Sequence, residues 1–365
     1  MRSNHRFLRI NFVGISAALA IGCALSLLAA DGRAVMVGAT HYANQLTGAT
    51  VTSFGRVGNP GVVFTNNGDM ALALDGGVGG YGQSNANKFT DYSNNGPTFF
   101  QWARPSGTFT ARTFITQQGA SYPFVLPGPY QLSINSGGGG TFVDIAGHNE
   151  AGVGGTSPFV VTSLPELVTG SAAQILFSSL NRDGSNGFAV MQEVIAIEDQ
   201  LERLTISSAS ASSTLGGYFV DDAFDNEAHL AWASAVSAPG QTLTLNLAEP
   251  GKVGALWITG VDTRDEEFDI YFNGSLTPAV TGVEWDGIDN SAFIKLDTPA
   301  SNVSSITLSF TNAPNGGSAV HYIGEVIPFA IVAPVPEPSS ACLVGLGAAL
   351  WFTVRRGRRG RVAVR

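Results

Sequence analysis

The 365-residue chain predicts an all-β protein made of two tandem antiparallel β-sandwiches, flanked by an N-terminal signal helix and a C-terminal membrane helix. Three observations predict the β body. Apolar residues recur with period two: Leu243, Leu245 and Leu247 alternate with polar neighbours, as do Phe268, Ile270 and Phe272, and Ile306, Leu308 and Phe310. Such alternation marks strands with one face buried and one in water. Helical periodicity is scarce, and the 45 glycines lie among Ser, Thr and Asn in turn-like clusters. Finally, a long segment occurs twice.

Residues 1–34 read as a secretory signal: Arg2, Arg6 and Arg9 precede an apolar stretch from Ile10 to Ala30, with cleavage expected near Ala30 or Ala34. An uncleaved anchor helix is the alternative. The two cysteines, Cys23 and Cys342, fall in the terminal apolar runs, so the exported body holds no disulfide. Its cohesion must come from its core, with help from a metal as an option.

The first sandwich is expected over 35–199 and the second over 205–331, with a linker near Asp199–Leu204. The repeat runs from Phe159 in the first half and from Phe293 in the second. Phe159 to Pro165 and Phe293 to Pro299 share a spacing, Ile175 and Phe177 match Leu308 and Phe310, and both copies close in Glu-Val-Ile at Glu193 and Glu325. The earlier parts of the halves align poorly, which leaves the first sandwich as either a diverged or a different one. Between Asp31 and Ile331 stand ten basic residues against twenty-seven acidic ones. A surface this negative repels phosphate backbones and excludes nucleic acid as a partner.

Residues 335–361 form the tail. A Pro-Glu-Pro turn precedes fourteen uncharged residues, Ala341–Val354, and then five arginines within 355–361. As a helix the run spans about 21 Å at ~1.5 Å per residue, and snorkelling arginines extend its reach towards a bilayer. The three-part order resembles the PEP-CTERM family of exported bacterial proteins, with Val335, Pro336, Glu337, Pro338 and Ser339 as the sorting motif. The resemblance implies recognition by an exosortase, a membrane protease or transpeptidase of Gram-negative bacteria that make exopolysaccharide. The protein would then be anchored transiently in the inner membrane and delivered to the cell surface or extracellular matrix.

The second half resembles a galactose-binding-like, discoidin-type sandwich of jelly-roll design. Ala223, Asp225, Trp232, Ser234 and Glu325 fit that family, whereas Leu230 stands where it usually has Thr. The family's fold brings the turn at Asp225 and Asn226 to the closing strand at Glu325, and a structural calcium ion held by Asp225, Asn226 and Glu325 is the expectation that follows. Many members bind sugars through loop aromatics at one end. Of Trp102, Trp232, Trp257 and Trp285, the last lies in a loop-like stretch and is the candidate carbohydrate platform.

Catalytic patterns are weak. Gly77–Gly82 satisfies a dinucleotide fingerprint with no helix after it, so it reads as a loop. His41, His148, His229 and His321 lack metal-ligand spacing. The acidic run Asp265, Glu266, Glu267 and Asp269 reads as a solvated strand end before it reads as a glycosidase pair. Three functions remain: a non-catalytic exported surface or matrix protein, a carbohydrate-binding module with exposed aromatics at one loop end, and a hydrolase with carboxylates converging in a cleft.

Overall fold

The alternating patterns do form strands. The computed structural model describes residues 36–42, 44–46, 49–56, 59–60, 89–91, 98–118, 130–135, 142–148, 159–177, 189–226, 230–260, 266–285, 291–314 and 320–332. The expected signal over 1–34, the tail over 335–361 and the apolar run within it lie outside the described residues. Among the described residues no helix is long and apolar enough to cross a membrane.

The first half contains β1 (Ala39–His41), β2 (Thr50–Arg56), β3 (Asn59–Pro60), β4 (Phe89–Asp91), β5 (Thr98–Ala103), β6 (Phe109–Gln118), β7 (Tyr130–Asn135), β8 (Val143–His148), β9 (Phe159–Gly170), β10 (Ala172–Phe177) and β11 (Ala189–Ile197). One sheet runs β3-β2-β5-β10-β7-β8 and the other β4-β11-β6-β9. Phe100 and Trp102 of β5, Phe109 and Phe114 of β6, Leu132 of β7, Ile175 of β10 and Val194 of β11 belong to one apolar core that draws on both sheets. Gly170 is required there, because a Cβ would stand 2.2 Å from Ile134 Cγ2.

The second half contains β12 (Gln200–Arg203), β13 (Ile206–Ala211), β14 (Trp232–Ala233), β15 (Thr242–Thr259), β16 (Glu266–Phe272), β17 (Val280–Trp285), β18 (Ser291–Phe310), β19 (Tyr322–Ile323) and β20 (Glu325–Val332). A single sheet, β12-β20-β15-β18-β16-β17, also takes β13 on β15 and β1 on β18. Strands β15 and β18 are 18 and 20 residues long and serve both layers. Their pairing shifts register between Asn246 and Ala255, around Pro250 and Gly251. Leu243 and Leu245 on one side of this break and Leu256 and Ile258 on the other share one core with Phe268, Ile294, Phe310 and Val326.

The two halves have one topology. In the first, β6 pairs with β9 and β11, β5 with β2 and β10, β10 with β7, and β7 with β8. In the second, β15 pairs with β13, β18 and β20, β18 with β16, and β16 with β17. The separate strands β5 and β6 therefore correspond to the continuous β15, and β9 and β10 to β18. Registers agree in detail: Ile115 opposes Ile195 as Trp257 opposes Ile327, and Gln117 opposes Glu193 as Thr259 opposes Glu325. The Glu-Val-Ile repeat thus holds in three dimensions. The opening strands slip by two residues against the sequence match, since Val161 opposes Ile115 where Phe293 opposes Trp257. A shift of two keeps the same face towards the core, which is why the pattern hides it.

The two halves also meet across a shared core. Contacts place everything up to Ile331 in one unit. Ile115, Phe159, Ile195 and Ile197 form a single buried cluster with Ala255, Trp257, Phe293, Ile327 and Phe329. The Phe159 ring meets Trp257 edge-on at 4.7 Å, while Phe293 stacks on Trp257 at 5.7 Å. Strand β1, from the first span, pairs with β18, Ala39 opposite Leu296. The linker itself is fastened: Asp199 accepts hydrogen bonds from Tyr42 Oη at 3.0 Å and from Lys295 Nζ through its carboxylate, and from Thr113 Oγ1 at 2.8 Å through its carbonyl. Burial and the Asp199 charge push the Tyr42 phenol well above its ordinary pKa, so it remains a donor.

Candidate functional site

Glycine-rich sequence before a short turn shapes the most chemically distinctive surface. Gly217 takes a positive φ of 92°, which L side chains avoid. It delivers Tyr218 and Phe219 to the single 3-10 turn of the described residues, Val220–Ala223. The Asp222 carboxylate accepts from the Phe219 amide at 3.1 Å, and the Asp222 amide donates to the Phe219 carbonyl at 3.2 Å. Ala223 is fully buried beneath, whereas Phe219 is 66% exposed. Tyr218 meets Tyr322 edge-on at 5.3 Å, with the two hydroxyls 3.4 Å apart. Tyr218 and Tyr322 therefore stand together, and the turn that follows Tyr218 carries the exposed Phe219 and Asp221.

A buried polar pair supports this platform. His321 and Glu266 are 0% and 2% exposed, and His321 Nδ1 lies 2.7 Å from Glu266 Oε2. The other carboxylate oxygen accepts from the Tyr322 amide at 3.1 Å. His321 Nε2 faces the Ala238 carbonyl at 3.3 Å, and the ring stacks on Phe310 at 4.2 Å. Both ring nitrogens are thus taken up inside the protein, a positioning role for Tyr322. Alternation along β16 splits the acidic run: Glu266 turns into the core and Glu267 and Asp269 lie on the opposite face. Asp269 accepts from the Gly282 amide at 3.0 Å. Asp265 lies outside the described residues.

The resembling motif residues are framework. Ala223, Trp232, Ser234 and Glu325 are completely buried, and the Trp232 indole donates to the Ser213 carbonyl at 3.2 Å. Trp102 and Trp257 are also core residues at 0% exposure, which removes them as platforms. Trp285 closes β17 with its backbone opposite Glu266, the residue whose carboxylate accepts from the Tyr322 amide. Its side chain, like the sorting motif Val335–Ser339, lies outside the described residues.

The expected calcium position gathers Asn226 and Glu325 as the resemblance implies. Asn226, at φ 70°, donates its amide to Glu325 Oε2 at 3.0 Å. The cation between them is Arg203: one guanidinium nitrogen donates to Asn226 Oδ1 and the other to Glu325 Oε1 at 3.3 Å. Calcium takes six to eight oxygen ligands, and here both Glu325 oxygens and Asn226 Oδ1 already accept N–H donors. Among the described residues no three His, Cys, Asp or Glu side chains gather. With Arg203 already on them, Asn226 and Glu325 are not arranged as calcium ligands. Sequence reading missed Arg203 and the aromatic group alike, although Tyr218–Phe219 directly after two glycines is a signal for an exposed aromatic turn.

Solved structures similar to this chain include a pectin-binding carbohydrate-binding module, at 19% identity and TM-score 0.30 over 36% of this chain and 94% of the other. A family 32 module from C. perfringens NanJ in complex with galactose is 22% identical, TM-score 0.30, over 36% and 99%. A fucolectin from striped bass serum is 12% identical, TM-score 0.31, over 80% and 99%. A search of curated proteins found no match. Residues 334–359 match the family described as the PEP-CTERM protein-sorting motif, so the chain carries that motif.

Proposed function

We propose that this chain is a non-catalytic exported protein of a Gram-negative cell surface or exopolysaccharide matrix, sorted and processed by an exosortase through its tail. The observation that carries this reading is the motif at 334–359. A transient inner-membrane anchor and later release follow from the same tail. Replacing Glu337 with Ala and following size and location in an exosortase-containing host tests it: the variant should stay unprocessed and membrane-bound, and unchanged processing and release would contradict it.

Within that role, carbohydrate binding is favoured by Tyr218, Phe219 and Tyr322. Apolar sugar faces stack on exposed aromatic rings while neighbouring polar groups fix orientation. Asp221 and the tyrosine hydroxyls supply such groups, and the Trp285 backbone lies opposite Glu266, whose carboxylate accepts from the Tyr322 amide. Extracellular polysaccharide is the matching partner class. The hydrolase alternative loses support from the splitting of the acidic run and from the full internal use of Glu266 and His321.

A further inference from the structure

We infer that the Arg203 guanidinium is an internal cation that replaces a structural metal in the second sandwich and sets the position of its ligand-facing loop. Three elements converge on it. Arg203 ends β12, which lies beside β20 in the sheet. Glu325 opens β20, and Asn226 follows the turn that carries Phe219 and Asp222. The Glu325 side chain is fully buried, whereas that of Arg203 is 32% exposed. A buried carboxylate without a counter-charge is strongly destabilising, and Arg203 supplies that charge here.

Guanidinium suits the geometry better than a metal does. Its planar fork reaches two acceptors at once, Glu325 Oε1 and Asn226 Oδ1, while remaining a permanent charge. The Asn226 amide then takes Glu325 Oε2, which holds Asn226 in the left-handed region. Burial pulls the Arg203 pKa down and Glu325 pulls it back up, the balance expected of a buried pair. A calcium ion brought to the same oxygens would meet this fixed positive charge. Arg203 also ties the loop to the linker, since the next residue donates its amide to the Pro328 carbonyl at 2.8 Å. The loop that displays Phe219 is thus anchored to the junction between the halves with no ion to lose.

Thermal unfolding of the full-length protein with excess EDTA and with millimolar calcium chloride tests this. The two melting curves should coincide. Arg203→Ala should lower the midpoint by on the order of 5–10 °C, because Glu325 stays buried without its partner. The double variant Arg203→Ala/Glu325→Gln should recover more than half of that loss, which a mere packing defect at Arg203 would not allow. If Arg203→Ala alone fails to fold, the double variant carries the test: it should fold and melt within a few degrees of the parent. A calcium-dependent rise in the parent's midpoint, a single variant that melts like the parent, or a double variant no better than the single would each overturn the inference.

Discussion

The two halves share a strand order but differ in how the chain passes from one layer to the other. In the first, β5 and β6 are separated by Arg104–Thr108, which contains Pro105 and Gly107, and β9 ends one residue before β10. In the second, the equivalent passages occur inside β15 at Pro250–Gly251 and inside β18 near Pro299, without loss of strand geometry. Proline removes a ladder donor and glycine permits the bend, so Pro105 and Gly107 in the first half and Pro250 and Gly251 in the second mark the same passage. One result is four shorter strands, the other two long bent ones. The comparison teaches that topology survives where strand continuity does not.

The faces where the halves meet correspond as well. Ile195 and Ile327 both point into the shared cluster, while Val194 and Val326 point into the separate cores. Glu193 and Glu325 occupy the same register position, and both are fully buried. The central ring is not duplicated: Trp257 stands where the first half has Ile115, and it receives Phe159 from one side and Phe293 from the other.

Removing that ring should have the largest effect. Trp257→Ala should cost about 3–5 kcal/mol, the range for aromatic truncation in a core. Because the cluster belongs to both halves, the variant should still unfold in one transition by calorimetry and by fluorescence. Two separated transitions would show that the halves are independent after all. Limited proteolysis sharpens the same point, since Gln200–Arg203 form β12, Leu201 is buried and Asp199 is fastened by three hydrogen bonds, so this stretch should resist cleavage in the parent. A smaller effect distinguishes the two facing sheets. The Gln117 side chain is fully buried with no hydrogen-bond partner for its amide among the described residues, and an unsatisfied buried polar group costs roughly 1–3 kcal/mol. Gln117→Met should therefore raise stability by about 1 kcal/mol in urea denaturation. A loss of stability would mean that the amide is satisfied.

Much of this architecture can be read from residue order, and the reasons differ by region. Period two identified the strands around Leu243–Leu247, Phe268–Phe272 and Ile306–Phe310 because each has one apolar side. The closing repeat was legible because Glu-Val-Ile carries the same division of labour in both halves. The earlier equivalence was hidden: β5 and β6 look unlike β15 until their pairing partners are known. Arg203 gave no pattern, since a single arginine after a linker looks solvated until the fold brings Glu325 to it across 122 residues. The Tyr218–Phe219 turn was overlooked for a related reason. Three of the four tryptophans weighed as sugar platforms are taken by the cores, and Phe219, which is exposed, gave no signal of its own beyond the two glycines before Tyr218.

Direct titration of the best glycan from an array, by calorimetry on the full-length protein and its Phe219→Ala variant, tests the carbohydrate-binding reading most directly. Phe219 is exposed, so its loss should leave the melting midpoint unchanged. Loss of one stacked ring is worth about 0.5–1.5 kcal/mol beyond buried area, so affinity should fall roughly tenfold. An array without any bound glycan, or a variant that binds as tightly as the parent, would contradict the assignment of this end of the second sandwich as the ligand site.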